Sequence, residues 1–346
     1  MSTFSRVILL AFFIMMVQAM QAQPMNLDAH LISIETTQEE KPVSLPFKEV
    51  RIKDLRYDTT NLGVLINGRP KWIRVNGGTE DALQDYIIEK SVISDTQEYK
   101  LLIILKDFRL QEPRAGEIGL AKIEEKRFVS QCTFSADVFV NSAGSYKALL
   151  RYDTTVTRLE PLHRIASSFT KEVLDLLLST VGAMEIEKIL RSKKQITENE
   201  IFDYYNKRFT KNRFRVNDMQ RGLYLSFEDF LNNQPQNIEF TLDQDDESDY
   251  LYIKENGEEK LFTDFWGFCD GRNIYIRVGY NFFKLQPNGN SFGFWGCLQA
   301  IHYTKSRNQN RVGRYAMLGV WSELRSAKLK NLLRPMQLNM ETGRPY

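Results

Sequence analysis

The pentapeptide Gly-Asn-Ser-Phe-Gly at residues 289–293 matches the G-x-S-x-G pattern, which presents a catalytic serine at a sharp turn between a strand and a helix. The residues after Ser291 alternate in polarity like a strand. The downstream histidine, His302, is not preceded by any acidic residue after the motif, so the usual serine-carboxylate-histidine order is missing. We interpret the pentapeptide as a turn and assign no catalytic residue.

An acidic run between Asp243 and Asp249 suggests a calcium loop. The EF-hand pattern requires glycine at its sixth position and glutamate at its twelfth, but these positions hold Ser248 and Lys254. A solvated hairpin loop between two strands is the better interpretation. The histidines and cysteines form no zinc-type cluster either, so no metal and no other cofactor is predicted.

The hexapeptide Leu-Arg-Tyr-Asp-Thr-Thr at residues 55–60 recurs letter for letter at residues 150–155, each time at the end of a predicted strand. One hypothesis is a pair of like-placed sites on one edge of the N-terminal sheet, made by Arg56, Asp58, Arg151 and Asp153. The other is that Asp and Thr of each copy cap a turn by bonding their own backbone. We favour the turn because such chemistry is common.

A second repeat, Phe-Trp-Gly, occurs at residues 265–267 and 294–296. Asp270-Gly271 predicts a two-residue hairpin loop, which would place Trp266 directly opposite Tyr275. The resulting register gathers five side chains on one side: Trp266, Phe268, Asn273, Tyr275 and Arg277. Burial by the rest of the domain is favoured for apolar residues, and an open face would be a partner-binding surface.

Three cysteines in an exported protein allow one disulfide and one remaining thiol. Cys269 and Cys297 lie in the same predicted meander, so we predict a disulfide between them. Cys132 shares the apolar parity of a predicted strand, and we expect it to stay reduced and buried.

The N-terminus has the layout of a secretory signal: Arg6, an apolar run over residues 7–17, and small residues at Ala19 and Ala22. The apolar run is far shorter than the roughly 20 residues that a membrane-spanning helix needs. We predict cleavage near Ala22 and a soluble protein in the periplasm or outside the cell, with no transmembrane span.

The remaining chain divides into a flexible leader at 23–45, an α+β domain at 46–210 and a mostly β domain at 222–346 with a basic C-terminal tail. The predicted fold class is α+β: a mixed, sandwich-like N-terminal domain, then an antiparallel meander or small barrel-like domain. Helices are predicted from Thr79, over 161–181, and from the capping boxes of Thr197 with Glu200 and Ser226 with Asp229.

Charge is nearly balanced, with 46 basic and 44 acidic residues, which gives no overall field for nucleic acid. The exception is the tail from Lys305 to Arg344, which is locally basic. A helix over 321–334 with an apolar side and several cations has the composition of a peripheral membrane helix. Docking of this helix on its own domain is favoured, because its apolar stripe is short.

Several short segments carry a resemblance to known proteins. In the C-terminal part they are residues 222–230 with 233–235, residues 268–271 with 274–276, and residues 339–343; in the N-terminal part, more loosely, they are residues 55–58 and 101–104. In these segments the chain resembles uncharacterised secreted proteins of the Bacteroidetes type. The group has no assigned activity, so the resemblance implies an envelope location and no catalytic residue.

Taken together, these features predict a non-catalytic envelope protein, a binding or scaffold module whose partner is an envelope protein or a glycan. Two alternatives remain open. One is an envelope hydrolase whose site the sequence does not reveal, and the other is a peripheral membrane protein that uses the basic tail.

Overall fold

The computed structural model describes residues 27–36, 42–66, 68–93, 98–113, 128–192, 194–211, 220–244, 249–279, 281–288, 290–296 and 333–346. The fold is α+β, with a mixed sheet in the N-terminal half and smaller, mostly antiparallel sheets in the C-terminal half. The fold class is therefore confirmed, and the described strands close no barrel. No described strand of one half pairs with a strand of the other.

The N-terminal sheet has seven strands in the order β1-β5-β4-β7-β8-β9, with β3 beside β7. The strands of this half are β1 (Asp28–Ile32), β2 (Val43–Leu45), β3 (Glu49–Asp54), β4 (Gly63–Leu65), β5 (Lys71–Val75), β6 (Ser91–Ile93), β7 (Lys100–Gln111), β8 (Ser130–Ser142) and β9 (Ser145–Arg158). β2 and β6 form a separate parallel pair. β3 runs parallel to β7, whereas β7, β8 and β9 are antiparallel neighbours.

Four helices accompany this sheet: α1 (Thr79–Lys90), α2 (Leu162–Gly182), α3 (Ile186–Ser192) and α4 (Glu198–Lys211). The buried residues of α2 recur at helical spacing, as in Phe169, Val173 and Leu177, which is why its sequence predicted a helix correctly. The capping box before α4 is also confirmed, since Thr197 and Glu200 bond each other's backbone N–H.

A side chain of α1 satisfies the outer edge of β3. The Gln84 amide accepts from the Ile52 N–H at 2.8 Å and donates to the Val50 carbonyl at 2.8 Å. Glu80 accepts from the next free amide, that of Asp54, at 2.8 Å. An unpaired strand edge is a template for association, and here helix side chains occupy the groups that a further strand would use.

Both faces of the sheet carry apolar cores. The larger core lies between the sheet and helices α1 and α2, and it includes Phe108, Phe134 and Leu177. A smaller core on the opposite face joins Leu102 and Ile104 of β7 to α4. The smaller core covers only the first part of β7, which leaves the later part of this face to polar residues.

The C-terminal half contains three further sheets, ordered β10-β14-β15-β16, β11-β12-β13 and β17-β18-β19. Its elements are β10 (Gly222–Tyr224), α5 (Phe227–Leu231), β11 (Phe240–Gln244), β12 (Asp249–Glu255), β13 (Glu258–Leu261), β14 (Gly267–Cys269), β15 (Ile274–Val278), β16 (Asn281–Lys284), β17 (Gln286–Asn288), β18 (Ser291–Gly296) and β19 (Arg334–Gln337). The capping box of Ser226 and Asp229 begins α5, as predicted.

Aromatic residues fill the space between these sheets. Phe268 stacks on Tyr275 at 4.8 Å between ring centroids and meets Phe240 edge-on at 5.4 Å. On the other side of the β10-β14-β15-β16 sheet, a second core gathers around Phe230 of α5. The meander therefore has an apolar core on each face, and neither face is open to water over its full extent.

The predicted flexible leader over residues 23–45 is wrong for the segments that form strands. β1 pairs in parallel with β5, and β2 pairs with β6. Each of these strands is short, and its partner strand lies about 40 residues or more along the chain. Local periodicity therefore does not predict either strand.

The predicted hairpin register between β14 and β15 is wrong by two residues. Tyr275 faces Phe268, not Trp266. The connection is longer than two residues because the Asp270 carboxylate accepts from the Arg272 and Asn273 amides, both at 2.7 Å, and holds a wider loop. Trp266 lies before the start of β14, where the alternation of faces no longer applies.

Asn256-Gly257 joins β12 to β13 with both residues at positive φ. The strands β11 and β12 on either side of the acidic run pair antiparallel, as the hairpin interpretation predicted. Residues 321–332 of the predicted basic helix lie outside the described residues, and Arg334, its predicted end, begins a strand. Within the described ranges, no helix has the length and apolarity needed to cross a membrane.

Candidate functional site

One face of β7, β8 and β9 carries only polar side chains over three consecutive rows, and we call it the polar face. Its rows across the three strands are Asp107 with Ser135 and Asp153, Arg109 with Thr133 and Thr155, and Gln111 with Gln131 and Thr157. A fourth row has Asp137 and Arg151 on β8 and β9 but the buried Ile104 on β7, and Lys106 reaches this row from a bulge. Alternate residues of the same strands, such as Phe134, point into the large core. The strict period of two along β8 therefore separates an apolar face from a polar one.

Side chains within the polar face bond one another across the strands. Ser135 donates to the Asp153 carboxylate, to which Arg151 also donates at 2.7 Å. Burial raises the pKa of Asp153, but these two hydrogen bonds outweigh it and hold that pKa below its usual value. Thr133 and Thr155 approach each other at 3.4 Å between hydroxyl oxygens.

A bulge at Lys106 widens the polar face beside α4. The ladder between β7 and β8 shifts between Leu105 and Asp107, so Lys106 becomes an extra residue on this face. Lys106 donates to Asp137 at 2.8 Å, and the Tyr205 hydroxyl of α4 donates to the same carboxylate. Burial and the hydrogen bond to Asp137 raise the pKa of Tyr205.

The polar face is exposed at β9 and half-buried at β7. Over β7 it meets residues 337–346 in a small cleft of about 40 Å³. The Arg109 guanidinium lies 4.2 Å from the centroid of the Tyr346 ring, and it also pairs with Asp107 at 2.6 Å. Burial raises the pKa of Asp107, and the Arg109 charge opposes this rise. Opposite them, Arg208 pairs with Glu341 at 2.5 Å.

Beneath this cleft, the first Leu-Arg-Tyr-Asp-Thr-Thr copy forms a buried polar network. Arg56 makes two hydrogen bonds to the Asp54 carboxylate, at 2.9 and 2.7 Å, and donates to the Asn61 and Phe108 carbonyls. Both members of the Arg56–Asp54 pair have side chains only 4% exposed. The guanidinium thus fixes the loop from β3 to β4 against β7.

Asp58 of the same copy joins the two halves of the protein. Its carboxylate accepts from Thr60 and Asn61 of its own loop. It also accepts from Asn288 at 2.9 Å and Gln337 at 3.3 Å, both from the C-terminal half. A carboxylate with this many donors is strongly anchored.

The two copies of the hexapeptide therefore have different roles. The favoured turn interpretation is confirmed for the first copy, where Asp58 accepts from the Thr60 amide and hydroxyl. It is wrong for the second copy, which lies inside β9 and makes no turn. The hypothesis of two like-placed edge sites is wrong as well, because Arg56 is buried between the halves whereas Arg151 and Asp153 are exposed.

The five residues of the predicted aromatic face do not lie together on one open surface. Phe268 is only 1% exposed. Trp266 packs on the other core, 4.5 Å from Phe230 between ring centroids, and its indole N–H donates to the Gly343 carbonyl at 3.1 Å. Asn273 is held by Asp270 in the loop, and Arg277 donates to the Gly279 carbonyl at 2.9 Å.

The glycine of the Phe-Trp-Gly repeat has a packing role. A Cβ on Gly267 would lie 2.4 Å from the Tyr275 carbonyl oxygen, and one on Gly296 would lie 2.5 Å from the Phe294 ring. Both positions therefore require glycine for close packing. The phenylalanine of each copy is buried, whereas Trp295 of the second copy is exposed.

Cys132 and Cys269 are both buried, and burial raises the pKa of each thiol. Cys297 lies outside the described residues, so the disulfide stays a prediction.

Ser291 is buried and donates to the Leu338 carbonyl, and the strand β18 follows it, as the turn interpretation predicted. Within the described ranges, no three His, Cys, Asp or Glu residues are grouped to hold a metal ion.

The polar face was not predicted from the sequence. Cys132 and its apolar neighbours in β8 indicated one buried face of the strand, and the alternating polar positions from Gln131 to Asp137 were assigned no role. The alternation of polar and apolar residues in β8 was the available signal. The contribution of β7 was not available, because its rows depend on the pairing of strands and on the bulge at Lys106.

No family model matches the chain, and no curated protein sequence matches it either. Among solved structures, one that is similar is the crystal structure of a protein from Xanthomonas campestris assigned to the family DUF330. It is 13% identical over 44% of this chain and 91% of that chain, with a TM-score of 0.28. At that TM-score the similarity supports no assignment of function.

Proposed function

We propose that the protein is an exported, non-catalytic binding module of the cell envelope that holds its partner on the polar face. The observation that carries this proposal is the uninterrupted set of polar side chains on β7, β8 and β9. Sheet faces that pack inside a protein are apolar, so a face that gathers hydroxyl, amide, carboxylate and guanidinium groups over adjacent rows is suited to a hydrogen-bonding partner.

The chemistry of the face favours a glycan or a polar protein surface. Thr133, Thr155 and Gln131 offer donors and acceptors without net charge. The ionic residues of the rows come in opposite pairs, such as Arg151 with Asp153.

An envelope location rests on the sequence. The signal-like N-terminus and the resemblance to secreted proteins of the Bacteroidetes type support export. Fractionation tests this part separately: the mature chain should be found outside the cytoplasm and should begin near Gln23. A mature protein that retains Met1 would contradict export and would leave the binding proposal standing.

The experiment for the binding site is co-purification from native envelope with the wild type and two threonine variants. Thr155→Arg places a bulky cation in the centre of the polar face. Thr241→Arg makes the same change at an exposed strand position of β11 in the other half. The wild type and Thr241→Arg should retain the same bound component, and Thr155→Arg should lose it by about tenfold, the effect of about 1.4 kcal/mol. Equal retention by all three would remove the polar face as the site.

A further inference from the structure

The outer edge of β9 has the features of an association surface. Among the strands that the structure describes, β9 is the last of the N-terminal sheet and pairs with β8 alone, apart from an isolated bridge between Tyr146 and Ile196 at its start. Among the described residues, the edge from Ala148 to Val156 has no strand partner. The Gln84 amide bonds the outward backbone N–H and carbonyl groups of β3, but no described side chain bonds the outward backbone groups of this part of β9.

This edge has few of the devices that usually prevent pairing. Edge strands are commonly protected by proline, by outward lysine or by a bulge. β9 contains no proline, and its lysine, Lys147, donates to the Leu190 carbonyl. Its one bulge, at Leu149, lies near the start of the free edge, and the ladder with β8 is regular from Leu150 to Val156. The residues from Asp153 to Thr157 include Thr, Thr and Val, which favour extended structure.

The charges along this edge are self-complementary. If two copies of β9 pair antiparallel about a two-fold axis at Tyr152, residue 151 of each copy faces residue 153 of the other. Arg151 then lies opposite Asp153 of the second copy, and this contact occurs twice by symmetry. The regular segment from Leu150 to Thr154 is centred on the same residue and would pair in both copies.

Partly buried apolar side chains line the same edge below the strand. Leu150, Tyr152 and Val156 pack only partly against the large core. Leu176 of the neighbouring helix α2 is 44% exposed. A second copy in the antiparallel arrangement would cover this row, which gives the association an apolar component besides its backbone hydrogen bonds.

We propose that the protein forms a two-fold symmetric dimer through antiparallel pairing of β9 with β9 of a second copy, centred on Tyr152. The dimer joins the two N-terminal sheets into one and places the two polar faces side by side. The inference does not depend on the proposed function, because it rests on the edge of β9 and not on the face.

The test is sedimentation equilibrium of the full chain over a wide concentration range. The wild type should reach the mass of two chains. Arg151→Asp turns both symmetry-related contacts into like-charge contacts and should raise the dimer dissociation constant by about tenfold or more. The double variant Arg151→Asp/Asp153→Arg exchanges the charges and should restore the wild-type value.

Arg69→Asp is the matched control. Arg69 is an exposed arginine near the opposite edge of the same sheet, where it pairs with Asp28, and its reversal should leave the mass unchanged. A wild type with the mass of one chain at every concentration would overturn the proposal. It would do so even if β9 pairs with a strand of a different protein. Failure of the double variant to restore association would overturn it equally.

A cross-linking measurement tests the position of the axis. Tyr152→Cys should form a disulfide between two copies on oxidation, because this position faces itself across the axis. Thr155→Cys should not, because it faces residue 149 of the other copy and its own counterpart lies about 20 Å away, six residues along an antiparallel strand. Cross-linking at 155 and not at 152 would contradict the proposed register.

Discussion

At the scale of single residues, Arg56 is the side chain on which the contact between the two halves depends. It holds the loop that presents Asp58 to Asn288 and Gln337. Its own partners are the buried Asp54 carboxylate and three backbone carbonyls. No shorter or uncharged side chain can serve all of these acceptors.

We expect Arg56→Met to lower the free energy of unfolding by about 3–5 kcal/mol, because it leaves the Asp54 carboxylate buried without its partner. Arg69→Met, which removes an exposed arginine paired at 3.5 Å, should cost about 0–1 kcal/mol. Denaturant titration of both variants measures the difference. Equal costs would show that the buried pair is no more important than the exposed one.

Trp266 belongs to the core. Because its ring packs against Phe230 and Phe227 and its N–H bonds Gly343, we expect Trp266→Ala to cost about 3–5 kcal/mol of stability. Trp295 occupies the same place in the Phe-Trp-Gly repeat but is 38% exposed, and Trp295→Ala should cost clearly less. Comparable midpoints for Trp266→Ala and the wild type in chemical denaturation would contradict this assignment.

At the scale of elements, local periodicity predicted those helices and hairpins whose contacts are close in sequence. α2 has its apolar residues at helical spacing, and Asn256-Gly257 supplies the two positive φ angles that its hairpin needs. β1 could not be predicted in this way. Its partner β5 is more than 40 residues away, and nothing local distinguishes β1 from a loop.

The register between β14 and β15 was predictable only in part. A two-residue shift keeps each strand residue on its predicted face, so Cys269 and Ile276 lie in one core and Phe268 in another, as the parity indicated. The end of the strand was not predictable, because the Asp270 side chain sets the loop length. The polar face was likewise predictable only in part: the alternation within β8 is readable from the sequence, whereas the pairing that brings β7 beside it is not.

Gln84 of α1 provides a test of edge protection. Its amide occupies the Ile52 N–H and the Val50 carbonyl of β3, so Gln84→Met leaves two partly buried groups unsatisfied and should cost about 1–3 kcal/mol. Asp85→Met changes the next, exposed residue of the helix and should cost less than about 0.5 kcal/mol. Hydrogen exchange of the Ile52 amide should accelerate in the first variant alone, and an unchanged rate would show that the amide has another partner.

At the scale of the whole molecule, the chain from 297 to 332 connects two strands that are direct neighbours. Gly296 at the end of β18 pairs with Arg334 at the start of β19, so the two attachment points of this connection lie close together. Most of the cations of the basic tail lie within the connection.

We expect a variant with residues 297–332 replaced by a short glycine-containing turn to keep its fold and its denaturation midpoint, because a short turn closes the same strand pair at less entropic cost. If the wild type binds anionic lipid vesicles through the basic residues, this variant should lose that binding. Vesicle sedimentation of both proteins decides this, and equal binding would exclude the basic segment as the membrane contact. Loss of the fold would show that the segment contributes to the core.

The composition of the polar face also determines the thermodynamics of any complex formed there. Its rows contain three cations, Lys106, Arg109 and Arg151, and three anions, Asp107, Asp137 and Asp153, so it has no net charge to attract a partner from a distance. Association should therefore proceed at an unsteered rate that changes little with ionic strength. Because little apolar surface is removed from water at this face, the heat capacity change on binding should be small and the binding should be driven by enthalpy.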